Sequence, residues 1–182
     1  MLLAVVSAFC FAENLTVYVE PGEIWAKRAP QLAVWLETED GAFVETLFVT
    51  KSASKKSWIA SPKEGRPESP PDWYKASGVN PAKKTGEGLD AYTGATPKKG
   101  ITFCRQVALE DGLNYVVKAQ INQSFDYNDY YTKKNSGVDG QPAVLYAGKI
   151  LKDSEIELKI VSDLEKITTA DRISGKIYVD VR

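Results

Sequence analysis

The sequence of 182 residues contains no histidine. Histidine is a common ligand of catalytic zinc, the usual general base of nucleophilic triads and the proximal ligand of many haems. Zinc sites built on histidine, Ser-His-Asp and Cys-His catalysis, and histidine-ligated haem are therefore excluded. The 24 acidic residues show no pair that marks a glycosidase, so the sequence does not indicate a hydrolase.

Cysteine is scarce, because Cys10 and Cys104 are the only two. Cys10 lies in an apolar run over residues 2–12, which has the length of the hydrophobic part of a signal peptide and is too short to cross a bilayer. We predict that residues 1–12 are an export signal; the alternative is a buried first strand. Removal of the signal would leave Cys104 alone, which excludes an internal disulfide and a thiolate metal cluster.

Neither sign of charge dominates, because 23 basic residues nearly balance 24 acidic ones. No basic block is interleaved with aromatic residues, as a nucleic-acid groove requires, so DNA and RNA are not expected as partners. The length suits one core of ordinary size. We therefore predict a single domain over residues 13–182.

Apolar and polar residues alternate over several short stretches, which is the pattern of half-buried strands. The segment LAVWLETEDGAFVETLFV contains Asp40-Gly41, a pair that supplies the positive φ angles of a hairpin turn, and Asp111-Gly112 marks another turn. Because no long amphipathic helix is present, the sequence predicts an all-β fold, an antiparallel immunoglobulin-like β-sandwich. Outside the hairpin, the predicted strands cover residues 15–19, 101–109, 113–121, 156–160 and 177–181.

Two long irregular loops, residues 52–100 and 124–142, interrupt the strand pattern. Both contain aromatic residues, and loops of this length in a compact domain are often functional. Within the first loop, SPPDWYKAS predicts a short helix that ends before Gly78, and SDLEKITTADR predicts a second helix near the C-terminus. The acidic residues of the second loop do not have the spacing of a calcium-binding loop, so we interpret it as a solvated polar loop.

One short pattern in the first loop carries chemistry. Asp90, Thr93, Gly94, Ala95 and Thr96 form the sequence D-x-x-T-G-A-T. A hydroxyl on an exposed loop can be reached by the active site of another protein. Gly94 permits a positive φ angle and close backbone approach, so that neighbouring N–H groups can face phosphate oxygens, and Asp90 can hold the loop or orient the hydroxyl. The alternative is a plain turn before the next strand, which explains the glycine but not the whole set.

This pattern resembles the acceptor motif of proteins that a bacterial flavin transferase modifies, in which the final threonine takes FMN through a phosphoester. Every fixed position is matched, and such a match arises by chance in about one chain of this length in a thousand. The resemblance implies covalent FMN on Thr96, with Asp90, Thr93, Gly94 and Ala95 as part of the site. It also implies a flavin transferase as a partner.

A wider resemblance covers most of the chain up to about Gln123. The segments PQLAVWLETEDGAFVETLFV, GRPESPPDWYKAS and LDAYTGATPKKG follow one another in an order similar to that of a bacterial family of predicted periplasmic proteins of unknown function. This resemblance implies a periplasmic protein in an extracytoplasmic redox system. Its partners would then be membrane or periplasmic redox proteins.

Aromatic residues of the first loop are candidates to stack on a flavin ring, a contact worth about 0.5–1.5 kcal/mol beyond area burial. They are Tyr92, Trp73, Tyr74 and Trp58. Tryptophan more often anchors a loop on the core, which is the alternative for Trp73 and Trp58. Cys104 is expected to be a small buried filler.

These observations predict an electron carrier more than an enzyme with its own substrate, because a flavin would supply the redox chemistry and the protein its attachment and orientation. The alternative function is that of a non-redox cell-envelope module. In that case the aromatic loops, including Tyr127, Tyr130 and Tyr131, would bind a polysaccharide or a protein, since such side chains are enriched at interfaces.

Overall fold

The computed structural model describes residues 10–54, 66, 68–79, 93–94 and 99–182. The described chain forms two sheets that pack face to face, which confirms the predicted all-β sandwich. The strands are β1 (Cys10–Pro21), β2 (Gln31–Thr38), β3 (Phe43–Thr50), β4 (Thr93–Gly94), β5 (Ile101–Glu110), β6 (Tyr115–Asn122), β7 (Val144–Lys149), β8 (Glu155–Glu157), β9 (Lys159–Ile160) and β10 (Ser174–Val181). The same described ranges contain three short α-helices, namely α1 (Lys51–Ser54), α2 (Pro71–Ser77) and α3 (Lys133–Ser136).

The first sheet has the strand order β5-β1-β10-β8 and the second the order β4-β3-β2-β6-β7-β9. Neighbouring strands are antiparallel except β3 and β4, which run parallel. The inner faces bury alternate residues, as the period of two predicts; Val17 and Ile121, for example, are fully buried. The hairpin of β2 and β3 turns at Gly41, whose φ angle is +91°, as expected from Asp40-Gly41.

At two places the chain passes from one sheet to the other although the sequence pattern suggests that it stays in the same sheet. The Asp111-Gly112 turn joins β5 in the first sheet to β6 in the second. The predicted strand over residues 156–160 is divided, because Ile156 belongs to β8 in the first sheet and Ile160 to β9 in the second. Leu158 lies between them with its side chain buried in the core, so the chain crosses at this residue from the edge strand of one sheet to the edge strand of the other.

The outer face of the six-stranded sheet is covered by α2, which begins at Pro71 and ends before Gly78, as predicted. Gly78 takes the left-handed conformation, which terminates the helix. The helix contributes Trp73 and Tyr74 to a second apolar cluster, which also contains Trp35 of β2.

The prediction of a second helix is wrong. Among the eleven residues of SDLEKITTADR, only Ala170–Arg172 are helical, and they form a short 3-10 turn. The backbone N–H of Thr168 donates to Oε1 of Gln141 at 2.7 Å, so this bond ties the segment to the second loop. Cys104 is also placed differently from expectation, because it is exposed on the outer face of β5, at the edge of the first sheet.

The first strand begins within the segment predicted as an export signal. Cys10 pairs with Glu110, and β1 then continues along β5 to Val19. The export signal over residues 1–12 and the single domain over residues 13–182 stay predictions.

Candidate functional site

The predicted acceptor motif is described at two of its residues, Thr93 and Gly94, which form β4. This strand lies at the edge of the six-stranded sheet, where Thr93 is opposite Val49 and Gly94 opposite Thr50 of β3. The motif's other residues, together with two candidate aromatic partners, lie outside the described residues; these are Asp90, Ala95, Thr96, Tyr92 and Trp58.

Gly94 is required for close packing and not for a positive φ angle. Its backbone is not in the left-handed region, which corrects the expectation of a positive φ, because the residue pairs with β3 as a strand. A Cβ atom at this position would lie 2.6 Å from Cε2 and 2.9 Å from Cζ of Phe48. Such distances are well below van der Waals contact, so only glycine fits against the ring as it stands.

The Phe48 ring is itself held in place. It is 8% exposed and stacks on Phe103 of β5, with ring centroids 5.1 Å apart and planes inclined by 19°. Because β3 and β5 belong to different sheets, the two rings join the sheets at the edge where β4 lies. We call the rings of Phe48 and Phe103 the aromatic seat.

A β-bulge in β3 turns Phe48 toward the interior. Val34 pairs with Phe48 and Trp35 with Thr46, so Leu47 is an extra residue in β3. Leu47 and Phe48, adjacent in sequence, consequently both join the core between the sheets. The bulge therefore directs the Phe48 ring toward β4. Bulges often redirect a side chain in this way, and they are common next to functional sites.

Among the residues that the structure describes, Arg105 and Glu45 bring charge to the same edge. Nε of Arg105 donates to the carbonyl oxygen of Leu47 at 3.0 Å, which ties β5 to the bulge. Burial raises the pKa of the half-buried Glu45 carboxyl, and the charge of Arg105 opposes part of that rise. The edge next to Gly94 thus combines aromatic surface with a fixed guanidinium.

Trp73 lies on the outer face of the sheet and is fully buried. Its indole N–H donates to Oγ1 of Thr46 at 2.9 Å, and its ring meets Tyr74 edge-on at 4.7 Å. The hydroxyl of Tyr74 donates to the carbonyl oxygen of Ala53 at 2.8 Å. These contacts anchor α2 on the sheet, as the alternative interpretation of Trp73 predicts.

Arg66 links the two irregular loops. Its side chain is 3% exposed and binds the carboxylate of Asp139, the hydroxyl of Ser124 at 2.9 Å and the carboxylate of Glu68 at 2.9 Å. Burial raises the pKa of the Asp139 carboxyl, and the Arg66 guanidinium counteracts part of this effect. The first loop is therefore held to the second by a largely buried ion pair.

The second loop is folded on itself and is not simply solvated. Gln141 is fully buried, and its side-chain N–H groups donate to Asp126 at 2.8 Å and to the hydroxyl of Thr169. Its oxygen accepts from Nδ2 of Asn128 at 3.1 Å. Within the described parts of the chain, no group of three or more acidic or thiol side chains is arranged to hold a metal ion.

Two aromatic side chains of the second loop remain on the surface. Tyr130 is 57% exposed and Phe125 is 43% exposed. Phe125 has a φ angle of +64°, an uncommon conformation for a bulky residue, and the guanidinium of Arg28 lies 4.7 Å from its ring centre. Sequence patterns did not single out Phe125, because positive φ in an aromatic residue has no sequence signal.

Comparison with known proteins identifies one sequence family. The family described as "Predicted periplasmic protein (DUF2271)" matches residues 14–123, which is more than half of the chain. No curated protein and no solved structure matches the sequence. The described part of the chain contains no helix with the length and hydropathy needed to cross a membrane. The matched region runs from residue 14 within β1 to the end of β6 and includes residues 90–96, the predicted acceptor motif.

Proposed function

We propose a function from one premise: the chain belongs to the family described as "Predicted periplasmic protein (DUF2271)", and its localisation is periplasmic. In that compartment it acts as an electron carrier with FMN attached to Thr96 through a phosphoester. The observation that carries this proposal is the complete D-x-x-T-G-A-T pattern from Asp90 to Thr96 inside the matched region.

Attachment requires a second protein, a flavin transferase, and a flavin dinucleotide as donor. The hydroxyl oxygen of Thr96 attacks the phosphorus on the flavin side of the pyrophosphate. A new P–O bond forms, the pyrophosphate bond breaks, and the nucleoside monophosphate leaves. The hydroxyl proton passes to a base of the transferase, so the chain itself supplies only the nucleophile and its position.

The described residues next to the motif support this proposal. β4 lies at a sheet edge and leaves Gly94 partly exposed, so the described part of the motif lies at the surface of the sandwich. The half-buried ring of Phe103 and the guanidinium of Arg105 lie at the same edge. Aromatic and cationic side chains are suitable neighbours for an isoalloxazine ring and a phosphate.

The bound flavin would supply the redox chemistry, and the chain would supply attachment, orientation and the local electric field. Membrane or periplasmic redox proteins would deliver and accept the electrons. This role makes the protein a carrier more than an enzyme with its own substrate.

One observation favours the alternative of a non-redox envelope module. Tyr130 and Phe125 are exposed on the second loop, where amphipathic aromatic surface suits a polysaccharide or a protein partner. This surface does not involve the acceptor motif, so the two functions predict different outcomes for a flavin-free variant.

The test is the intact mass of the protein purified from the periplasm of a strain with an active flavin transferase. We expect an added mass of one FMN less one water, absent from Thr96→Ala. The control Thr102→Ala removes an exposed threonine hydroxyl of β5 and should keep the full adduct. An unmodified wild-type protein from such a strain would contradict the electron-carrier proposal and leave the envelope module.

A further inference from the structure

We infer that Phe48 is a positioning residue for flavin attachment, because its ring holds β4 at the sheet edge through Gly94. This inference rests on the proposed function and extends it from the acceptor motif to β3, which lies far from the motif in sequence. Phe48 is proposed to act through its contact with Gly94, and so through the backbone of β4.

The first argument is the closeness of the contact. The absence of a Cβ atom at Gly94 lets the strand approach the ring, since that atom would lie 2.6 Å from Cε2 of Phe48. The ring cannot easily move away, because it is 8% exposed and stacks on Phe103. The position of β4 is therefore defined by the aromatic seat.

The second argument is that the described pairing of β4 is short. Its pairing with β3 consists of two residue pairs in a parallel arrangement, far short of an independently stable ladder. Packing of Gly94 on Phe48 therefore adds to a ladder that is short by itself. Gly94 precedes Thr96 by two residues, so a displaced strand displaces the acceptor. A shift of about 1 Å in a reacting group costs about a hundredfold in rate.

The contact suggests a pair of compensating substitutions. Gly94→Ala puts a methyl group into the ring and should push β4 away from the seat. Phe48→Leu removes Cε2 and Cζ, the two atoms nearest to that methyl group, while the remaining neighbour, Cδ2, is at an ordinary 3.8 Å. In the double variant the alanine methyl group fills the space that the shortened side chain leaves. Each single variant should therefore take up flavin more slowly than wild type, and the double variant should regain most of the attachment rate.

The experiment measures the initial rate of flavin attachment with purified flavin transferase and excess flavin dinucleotide, followed by intact mass and by flavin fluorescence. We expect kcat/KM to fall about tenfold or more for Gly94→Ala and severalfold for Phe48→Leu. The double variant should recover to within about threefold of wild type, as a coupled pair does in a double-mutant cycle. Urea unfolding of every variant checks that it is folded.

Gly148→Ala is the matched control. A Cβ at Gly148 of β7 would lie 2.7 Å from Cδ2 of Leu158, so this substitution imposes a similar clash in the same sheet, with other strands between it and β4. Its attachment rate should equal that of wild type even if its stability falls. A rate loss equal to that of Gly94→Ala would mean that the effect is general destabilisation and would overturn the inference.

The remaining outcomes separate this inference from the proposed function. Wild-type protein that takes no flavin would remove the proposed function and the inference with it. Two outcomes would overturn only the role of Phe48. In the first, the wild-type protein is modified and Gly94→Ala is modified at the same rate. In the second, the double variant is modified no faster than the slower single variant. If Gly94→Ala does not fold, Phe48→Leu alone decides, because a wild-type rate in that variant contradicts a seat that positions the acceptor.

Discussion

Arg66 shows at the residue scale how one buried side chain can organise a loop region. Its guanidinium reaches Asp139, which is 73 positions away in the sequence, and Ser124 in the same loop. A buried guanidinium is costly unless carboxylates and hydroxyls surround it, and Arg66 has both. Removal of Arg66 would leave the Asp139 carboxylate partly buried without its counter-ion.

We predict that Arg66→Met lowers the free energy of unfolding at neutral pH by about 2 kcal/mol or more. Burial already holds the pKa of Asp139 above its ordinary value, and loss of the cation raises that pKa further. For a carboxyl with a raised pKa in the folded state, stability is greatest below the unfolded pKa and is lost as the pH rises through the folded pKa. The decrease in the free energy of unfolding between about pH 4 and about pH 7 should therefore be larger in Arg66→Met than in wild type.

Urea unfolding at several pH values measures this difference. In Arg66→Met with Asp139→Asn, the titrating carboxyl is gone, so the additional pH dependence should disappear. Equal pH dependence in wild type and Arg66→Met would show that Asp139 does not depend on the guanidinium.

At the scale of elements, α2 covers an apolar area that a free sheet face would expose. Trp73 fills the space above the β2 and β3 hairpin, and Asp72 at the helix start exchanges two hydrogen bonds with the side chain of Gln120 in β6. The helix is thus fixed at its beginning by polar contacts and along its length by a tryptophan.

We predict that Trp73→Ala lowers the free energy of unfolding by about 3–5 kcal/mol, because a large buried ring is lost. Trp73→Phe keeps most of the packing and loses the bond to Thr46, which should cost about 1 kcal/mol for the bond itself. Thr46→Val removes the same bond from the other side and is the matched control. Denaturant unfolding gives all three values, and a wild-type stability for Trp73→Ala would contradict the anchor role.

The sequence predicts strands well where alternation is regular and one face is buried, as in β6 and β10. It predicts α2 because the proline start and Gly78 mark both ends. It does not predict that Leu158 carries the chain from one sheet to the other, since an alternating stretch has the same pattern in either sheet. The sequence does not predict the bulge at Leu47 either. It also does not predict the contact of Phe48 with Gly94, because that contact depends on pairing between distant segments.

On the scale of the whole molecule, the family match and the sandwich do not have the same extent. The matched residues 14–123 include β1 and β5, but β10, which lies between β1 and β8, comes from outside the match. β10 buries Ile177, Val179 and Val181 completely. The four-stranded sheet therefore depends on the C-terminal third of the chain.

We predict that a chain truncated after Gln123 does not fold cooperatively. It would expose the edge of β1 that pairs with β10 and the edge of β6 that pairs with β7, together with the apolar residues beneath them. Circular dichroism and a urea titration test this prediction against the full chain. A sharp unfolding transition in the truncated chain would show that the matched region is a domain by itself.

The pairing of β1 with β10 brings together segments from opposite ends of the sequence, and Asn14 and Arg182 exchange backbone hydrogen bonds at 2.7 and 3.0 Å. Contacts so distant along the chain form late, because the intervening polypeptide must first be closed into a loop. In a polypeptide that enters the periplasm with its N-terminus first, β1 would therefore have no partner on one side until β10 arrives. The four-stranded sheet of such a chain would then be completed only after residues 174–181 have crossed the membrane.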